Sequence, residues 1–205
     1  NPYRPYRICG QNRHLCGLLA AVIGLAYTMS SMNLHNARID TLNSTAEGIG
    51  SFVFSHFHQK KLTFSTKNDG SIVTKVDQEA ELRARDLLLT QYPDDGFLGE
   101  EHGEIAGSSG YRWVVDPIDG TASFARGVPL FGTLIGLELE GEAIAGAANF
   151  PALDESISAV VGQGVKYKNQ RTTVSDTSSL ENAMICTTSF DYYKQTNSEQ
   201  IHSLL

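Results

Sequence analysis

An apolar run leads directly into acidic and small polar residues in the stretch WVVDPIDGTASF, Trp113–Phe124. The run Trp113–Val115 predicts a buried strand. We expect the strand to stop at Asp116, because Pro117 forces a turn and has no N–H to offer a sheet. The first carboxylate of this stretch is therefore predicted to lie at the end of a buried strand.

The same stretch brings two carboxylates together. Asp119 is expected to lie close to Asp116 in space, and Gly120 permits close approach of the backbone. Two carboxylates with a backbone carbonyl between them form a hard-oxygen site suited to Mg²⁺. The N–H groups after Thr121 would open a helix through Ser123–Arg126, and such an N-terminus suits phosphate. The alternative is a double turn at the surface, which needs no metal.

Further acidic residues precede this stretch. Gly99-Glu100-Glu101 follows a short apolar segment, and if that segment pairs with Trp113–Val115, Glu100 joins the other two carboxylates. Clustered carboxylates raise one another's pKa unless a cation is present, and a pair of divalent ions at such a site hydrolyses phosphoesters. Asp77, with Thr121, would orient or deprotonate the water. As alternatives, the two glutamates form a solvated charge pair and Asp77 is a helix N-cap.

Apolar spacing predicts the surrounding elements. A stripe of residues three and four apart predicts a helix over residues 34–58; its members are Ile39, Leu42, Ala46, Ile49 and Val53. A second helix is predicted to begin near Asp77, with Glu79 and Glu81 in its first turn. A turn is predicted at residues 67–71, and strands at 97–99, 113–115, 130–139, 143–148, 156–161, 171–174 and 183–187. Helices followed by strands favour an α+β fold over a repeating βαβ unit.

Three stretches, in this order and spacing, resemble the inositol monophosphatase family of Mg²⁺-dependent, lithium-sensitive phosphatases. They are Lys67–Asp77 (KNDGSIVTKVD), Gly99–Glu101 (GEE) and Trp113–Phe124, and the resemblance covers about residues 36–205. It implies an α+β fold of the layered αβαβα sugar-phosphatase type, with the N-terminal half complete and the C-terminal half partial. It also implies a Mg²⁺ cofactor, a small-molecule phosphate monoester as substrate, and a homodimer.

The resemblance also implies roles for individual residues. The metal ligands would be Glu100, Asp116, Asp119 and the carbonyl of Ile118. The catalytic residues would be Asp77 and Thr121, which position the attacking water, together with Glu100. The substrate would be bound by Asp119, Gly120, Thr121 and Ser123.

The segment Ser123–Ile135 (SFARGVPLFGTLI) resembles most the histidinol-phosphatase branch, although Ala122 stands where Lys or Thr is common. We therefore expect two-metal activated attack of water on histidinol phosphate. The alternatives are an inositol-1-monophosphatase, and a nucleotide 3′-phosphatase or fructose-bisphosphatase-like enzyme. The family's further metal-binding Asp near the C-terminus has no counterpart here, so an inactive metal-binding fragment is the other alternative.

The composition excludes several classes of protein. The 205 residues are 41% hydrophobic and 19% charged, unlike a disordered or collagen-like chain. The net charge of −7 argues against nucleic acid as a partner, and no apolar run reaches the roughly 18 residues needed to cross a membrane. The three cysteines are few and odd in number, which argues against a disulfide framework.

The first residues differ from the rest. Residues 1–37 hold three arginines and no acid, so the remainder carries a net charge of −10, and the apolar run Leu15–Tyr27 resembles part of a leader. We predict a leader or non-native extension over 1–32, a metal- and phosphate-binding half over 33–148, and a C-terminally truncated α/β half over 149–205. We expect the protein to be cytoplasmic. If the leader is genuine, we expect it to be in an organelle or exported instead.

Overall fold

One eight-stranded sheet organises the described residues, which in this computed structural model are 36–57, 64–66 and 72–184. The helices are α1 (Asn36–Phe57), α2 (Lys75–Gln91) and α3 (Thr121–Ala125), with a 3₁₀ turn at Leu180–Asn182. The strands are β1 (Phe64–Thr66), β2 (Ile72–Thr74), β3 (Gly96–Gly99), β4 (Gly103–Ile105), β5 (Tyr111–Asp119), β6 (Gly132–Leu139), β7 (Glu142–Phe150), β8 (Glu155–Val160), β9 (Gly164–Tyr167) and β10 (Gln170–Thr172).

The sheet is mixed, in the order β10-β9-β8-β7-β6-β5-β3-β4. β3 and β5 run parallel, whereas the other neighbouring strands are antiparallel. β1 and β2 form a separate antiparallel pair. Helices precede most of the strands and no repeating βαβ unit occurs among the described residues, so the predicted α+β class is confirmed. β1, β2, β4 and β9 were not predicted, because each is only three or four residues long.

The first predicted helix is present as α1, within two residues of its expected ends. Four members of its apolar stripe are at most 5% exposed, namely Leu42, Ala46, Ile49 and Val53. They belong to one core cluster with Ala80, Ala84 and Leu88 of α2 and with Trp113 and Val115 of β5. The period of the apolar residues thus fixes which face of each helix packs on the sheet.

α2 begins two residues earlier than predicted. Its N-cap is Thr74, whose hydroxyl accepts hydrogen bonds from the N–H groups of Val76 and Asp77 at 3.1 and 3.3 Å. The interpretation of Asp77 as the N-cap is therefore wrong, because Asp77 is the third helical residue and completes a capping box. Glu79 and Glu81 consequently lie beyond the first turn, not within it.

Several predictions fall partly or wholly outside the described residues. These are the leader over 1–32, the turn at 67–71, and all but the first two residues of the strand at 183–187, which are not in a strand. The predicted boundary after residue 148 lies inside β7, and β6 and β8 flank that strand in the same sheet. Within the described ranges, no helix is both long and apolar enough to cross a membrane.

Candidate active site

Parallel pairing of β3 and β5 brings Glu100 next to Asp116. Gly99 pairs with Val115 in this register, so the residues that follow them lie at the same end of adjacent strands. The two carboxyl groups are close enough for Glu100 to raise the pKa of Asp116. The prediction that the segment before Glu100 pairs with Trp113–Val115 is confirmed.

β5 does not stop at Asp116 as predicted but continues to Asp119 through a bulge. Asp116 lies opposite Leu134 and Asp119 lies opposite Gly132, so β5 contains one more residue than β6 in this interval. Leu134 and Gly132 are two residues apart on β6, so they face the same side of the sheet, and the two aspartates opposite them share a side as well. The bulge therefore explains how two carboxylates three residues apart share one site.

Two side chains replace the ladder bonds that the bulge loses. The Oδ1 atom of Asp116 accepts a hydrogen bond from the N–H of Ile118 at 3.1 Å. The carbonyl of Pro117 accepts one from the buried hydroxyl of Thr133 at 2.8 Å. Because Pro has no N–H and is tolerated at bulges, the strand passes through it without leaving a donor unpaired.

Asp77 is a buried carboxylate with hydrogen bonds to both of its oxygens. Oδ2 accepts from the N–H and the hydroxyl of Thr74 at 2.8 and 2.5 Å, and Oδ1 accepts from the hydroxyl of Thr121 at 3.0 Å. Burial raises the pKa of Asp77, although the bonds from Thr74 and Thr121 oppose this. The carboxylate is thus held in one orientation and is more basic than an ordinary aspartate.

Gly120 starts α3 in a conformation that suits only glycine. Its φ is +88°, and a Cβ atom there would lie 2.8 Å from the carbonyl oxygen of Leu130. The next residue, Thr121, sets its hydroxyl 2.9 Å from the carbonyl of Ile118 as well as near Asp77. The glycine therefore fixes the position from which Thr121 reaches the carboxylate of Asp77 and the carbonyl of Ile118.

Ser123 lies in the turn that follows. Its N–H donates to the carbonyl of Gly120 at 2.9 Å, and the N–H of Phe124 donates to the same carbonyl at 3.0 Å. The helix predicted through Arg126 ends one residue earlier, at Ala125. The hydroxyl of Ser123, rather than its N–H, is consequently the group that can reach a phosphate without breaking the turn.

Neighbouring carboxylates raise the pKa of Asp116 and of Asp119. Burial, followed by the charges of Glu100 and Asp119 and then that of Asp77, raises the pKa of Asp116 well above its usual range. Exclusion of water by the surrounding protein, and then the charge of Glu100, raises the pKa of Asp119, although that residue lies exposed at the strand end. Like charges brought together in this way are what a bound cation stabilises.

The donor atoms fit Mg²⁺ in their chemistry. They are carboxylate oxygens and the carbonyl oxygen of Ile118, which are the hard ligands that this ion prefers. In ranges 36–57, 64–66 and 72–184, no three His, Cys, Asp or Glu side chains form a finished ligand set. Mg²⁺ usually keeps several waters and binds through one or two carboxylates, and Glu100 and Asp119 are both exposed at strand ends.

Glu81 is a further buried carboxylate near the site. The sequence predicted for it only a favourable charge in the first turn of a helix. Glu81 is 0% exposed and bonds the turn that contains Glu100. A signal for it exists in the sequence, since Asp77 and Glu81 are four residues apart and share a helix face with the apolar Ala84 and Leu88. An acid on an apolar stripe indicates a buried partner.

Comparisons with known proteins show which family the chain resembles. Residues 36–204 match the Inositol monophosphatase family. A histidinol-phosphatase of Chlorobaculum parvum is 44% identical over 119 residues, which cover 58% of this chain and 46% of that protein. An inositol-1-monophosphatase of Rhizobium meliloti is 38% identical over 129 residues, covering 62% and 48%.

A solved structure shares the fold. The extragenic suppressor protein SuhB of Bartonella henselae aligns with a TM-score of 0.66 and 33% identity, covering 69% of this chain and 55% of that one. The chain spans about half the length of the curated relatives named above. The match over residues 36–204, which includes every predicted site residue, shows that the chain belongs to the inositol monophosphatase family.

Proposed function

We propose that this chain carries the metal- and phosphate-binding half, over residues 33–148, of a Mg²⁺-dependent phosphomonoester hydrolase. One observation supports this above all others. The Asp77–Thr121 pair and the carboxylates of Glu100, Asp116 and Asp119 come from three separate parts of the chain and meet at one end of β5. Neither a surface turn nor a helix cap requires that convergence.

The proposed metal ligands are Glu100, Asp116, Asp119 and the carbonyl of Ile118. A pair of Mg²⁺ ions, when bound, lowers the pKa of a nearby water and offsets the charge that develops on the leaving oxygen. The carbonyl of Ile118 accepts one bond from Thr121 and has a second lone pair for a ligand. Asp116 is held within the sheet, and Glu100 and Asp119 would contribute their carboxylates from the strand ends.

Asp77 and Thr121 would hold and move the proton of the attacking water. The hydroxyl of Thr121 has one proton and lies near two acceptors, Asp77 Oδ1 and the Ile118 carbonyl. When Thr121 takes a proton from the water, it passes its own to Asp77, so that charge is conserved. The raised pKa of Asp77 favours this acceptance, because a more basic carboxylate holds the proton more readily.

The phosphate would lie over the start of α3. Gly120 provides close backbone approach there, Thr121 and Ser123 offer hydroxyl groups, and phosphate oxygens accept such hydrogen bonds. Asp119 carries negative charge, so it would contact hydroxyl or amino groups of the substrate rather than phosphate itself. A monoester with donors near its phosphate therefore suits the site best.

The preferred substrate is histidinol phosphate, with inositol 1-phosphate as the alternative. The first is supported by the resemblance of Ser123–Ile135 to the histidinol-phosphatase branch and by the relative of that name at 44% identity. The second is supported by the relative at 38% identity that is called an inositol-1-monophosphatase. A nucleotide 3′-phosphate and fructose bisphosphate are the remaining candidates.

The test is phosphate release by the 205-residue chain across a Mg²⁺ titration. We expect release from histidinol phosphate to exceed that from the other three substrates, to require Mg²⁺, and to fall on addition of Li⁺. Asp116→Asn serves as the control for metal dependence. Mg²⁺ binding by calorimetry without release from any substrate would contradict the proposal and favour the inactive metal-binding fragment.

The wider assignments are proposals of the same kind. We propose a cytoplasmic homodimer whose residues 149–205 belong to a second, partial half. Light scattering of the purified chain measures the oligomer directly. A monomer at all concentrations would contradict the dimer without affecting the phosphatase assignment.

A further inference from the structure

The buried carboxylate of Glu81 holds the turn that follows β3. Its Oε2 atom accepts a hydrogen bond from the N–H of Glu101 at 2.7 Å, and its Oε1 atom accepts one from the N–H of His102 at 2.8 Å. Oε1 also lies 2.8 Å from Nδ1 of His102. The side chain of Glu81 is 1% exposed, so a helix residue from outside the turn provides the partner for both main-chain donors.

Gly99 makes room for this carboxylate. A Cβ atom at Gly99 would lie 2.2 Å from Oε1 and 2.3 Å from Cδ of Glu81. The constraint is steric rather than conformational, because the φ of Gly99 is not in the left-handed region. The carboxylate of Glu81 therefore fits in this position only because Gly99 has no side chain.

Glu100 lies between Gly99 and Glu101, whose backbones are both held in place by hydrogen bonds. On one side, Gly99 is paired with Val115 of β5 and with Gly103 of β4. On the other side, the N–H of the next residue is bonded to Glu81. The backbone of Glu100 is thus held from both directions, and its carboxyl group meets that of Asp116.

We propose that Glu81 is a positioning residue, which holds the turn over residues 100–102 so that the carboxylate of Glu100 shares an ion with Asp116. The inference rests on the proposed function, since it takes Glu100 as a Mg²⁺ ligand. Glu81 itself points its oxygens into the turn and would not touch the ion or the substrate. Its contribution is to the affinity for Mg²⁺ rather than to the chemical step.

The experiment compares Glu81→Gln with Glu79→Gln in the 205-residue chain. Both changes neutralise one acid on α2, but Glu79 is exposed and forms its ion pair with Arg83, four residues along the helix. Gln at position 81 keeps the size of the side chain and places an amide N–H₂ against main-chain donors. Calorimetry without substrate measures the Mg²⁺ dissociation constant, and hydrogen exchange measures protection of the Glu101 and His102 amides.

We expect Glu81→Gln to weaken Mg²⁺ binding by about 10–100-fold and to speed exchange of the two amides, as is typical when a partner of a metal ligand is lost. Glu79→Gln should leave both quantities as in the wild type. In the phosphatase assay, the Mg²⁺ concentration for half-maximal rate should rise while kcat at saturating Mg²⁺ changes little. Unchanged Mg²⁺ affinity with faster amide exchange would overturn the proposal, because the turn would then be structural only.

His102→Ala provides a second variant that keeps both main-chain bonds to Glu81. It removes one of the three contacts at a side chain that is one-third exposed, so we expect a folded protein with a smaller loss of Mg²⁺ affinity in the same direction. Wild-type affinity in His102→Ala, together with an unfolded Glu81→Gln, would also overturn the proposal. A wild-type chain that binds Mg²⁺ but releases no phosphate contradicts the phosphatase function alone, because the binding arm still reports on Glu81.

Discussion

The Oδ1 atom of Asp77 lies 3.0 Å from the hydroxyl oxygen of Thr121, although 44 residues separate them in the chain. Asp77 is on α2 and Thr121 begins α3, so the contact depends on both helices being placed correctly. The opposite oxygen of Asp77 is fixed by Thr74. The pair is therefore held rigidly, unlike a chance surface contact, as its proposed role in proton transfer requires.

Thr121→Val should lower kcat by about 10²-fold or more, because it removes the hydroxyl that handles the proton while keeping the shape of the side chain. Thr121→Ser restores the hydroxyl and should retain most of the activity. Steady-state phosphate release measures both variants, and thermal unfolding verifies that they are folded. Equal rates for the valine and serine variants would remove Thr121 from the proposed mechanism.

Asp116→Asn should abolish Mg²⁺-dependent activity yet stabilise the metal-free protein at high pH. The pKa of Asp116 is raised in the folded state, so its stabilising effect is complete below the unfolded value of about 3.9 and is lost as pH rises through the folded value. The variant has no such group and should lose less stability over that rise.

Thermal unfolding in a chelator, from pH 4 to pH 8, measures this difference. At pH 8 the melting temperature of Asp116→Asn should equal or exceed that of the wild type. Added Mg²⁺ should raise the melting temperature of the wild type only, because a ligand stabilises the state that binds it. A wild type that stays more stable at pH 8 in chelator would contradict the predicted charge cluster.

Gly120→Ala should destabilise the protein more than Gly127→Ala. Both glycines have positive φ, but a Cβ at Gly127 meets nothing within 4 Å, whereas one at Gly120 meets the Leu130 carbonyl. The left-handed conformation costs about 1–2 kcal/mol in either variant, and the clash should add about 1 kcal/mol or more at Gly120. Urea unfolding measures both. Equal losses would mean that the loop of Leu130 moves away freely.

A buried ion pair anchors α1 beside β3. Both carboxylate oxygens of Asp95 accept hydrogen bonds from Arg38 at 2.9 Å, and Asp95 also accepts from Ser109 at 2.6 Å and from Trp113 at 3.0 Å. Burial raises the pKa of Asp95, but these bonds and the charge of Arg38 outweigh it, so the net pKa is lowered. The guanidinium also lies 4.4 Å from the centre of the Tyr92 ring.

Asp95→Asn should lower the free energy of unfolding by about 3 kcal/mol at neutral pH, because it leaves Arg38 without its counter-ion. A lowered folded pKa gives stability that is present above the unfolded value of about 3.9 and is lost as pH falls through the folded value. The gap between wild type and variant should therefore narrow below about pH 4. Urea unfolding at pH 7 and pH 3 measures it, and a constant gap would show that the charge is not what matters.

The sequence predicts best those elements whose position depends on a single local pattern. The three-and-four spacing from Ile39 to Val53 predicts α1 because helix packing depends on that period alone. The prediction for β5 was wrong at its end, because it treated Pro117 as a barrier. The hydroxyl of Thr133, sixteen residues away, satisfies the Pro117 carbonyl and lets the strand continue, and no local rule contains that partner.

The residues of the candidate site likewise divide into those that local motifs identify and one whose partners are distant in the chain. Asp77, Glu100, Asp116 and Asp119 could be named from local motifs, and pairing of β3 with β5 could be expected from their apolar runs. Glu81 could not be placed, because its partners are main-chain N–H groups about twenty residues away, which any residue type provides. What sequence reasoning lacked was the location of backbone donors, not the chemistry of side chains.

The bulge in β5 has a consequence for what a central strand can do. In a regular strand with neighbours on both sides, the main-chain oxygens are committed to the sheet and take no part in recognition. Pro117 and Ile118 lie opposite an interval of β6 that contains only Thr133, and the Ile118 oxygen accepts a hydrogen bond from the Thr121 hydroxyl. A single extra residue thereby directs a main-chain carbonyl of a strand toward the first residue of α3, while the flanking ladder keeps that atom in place.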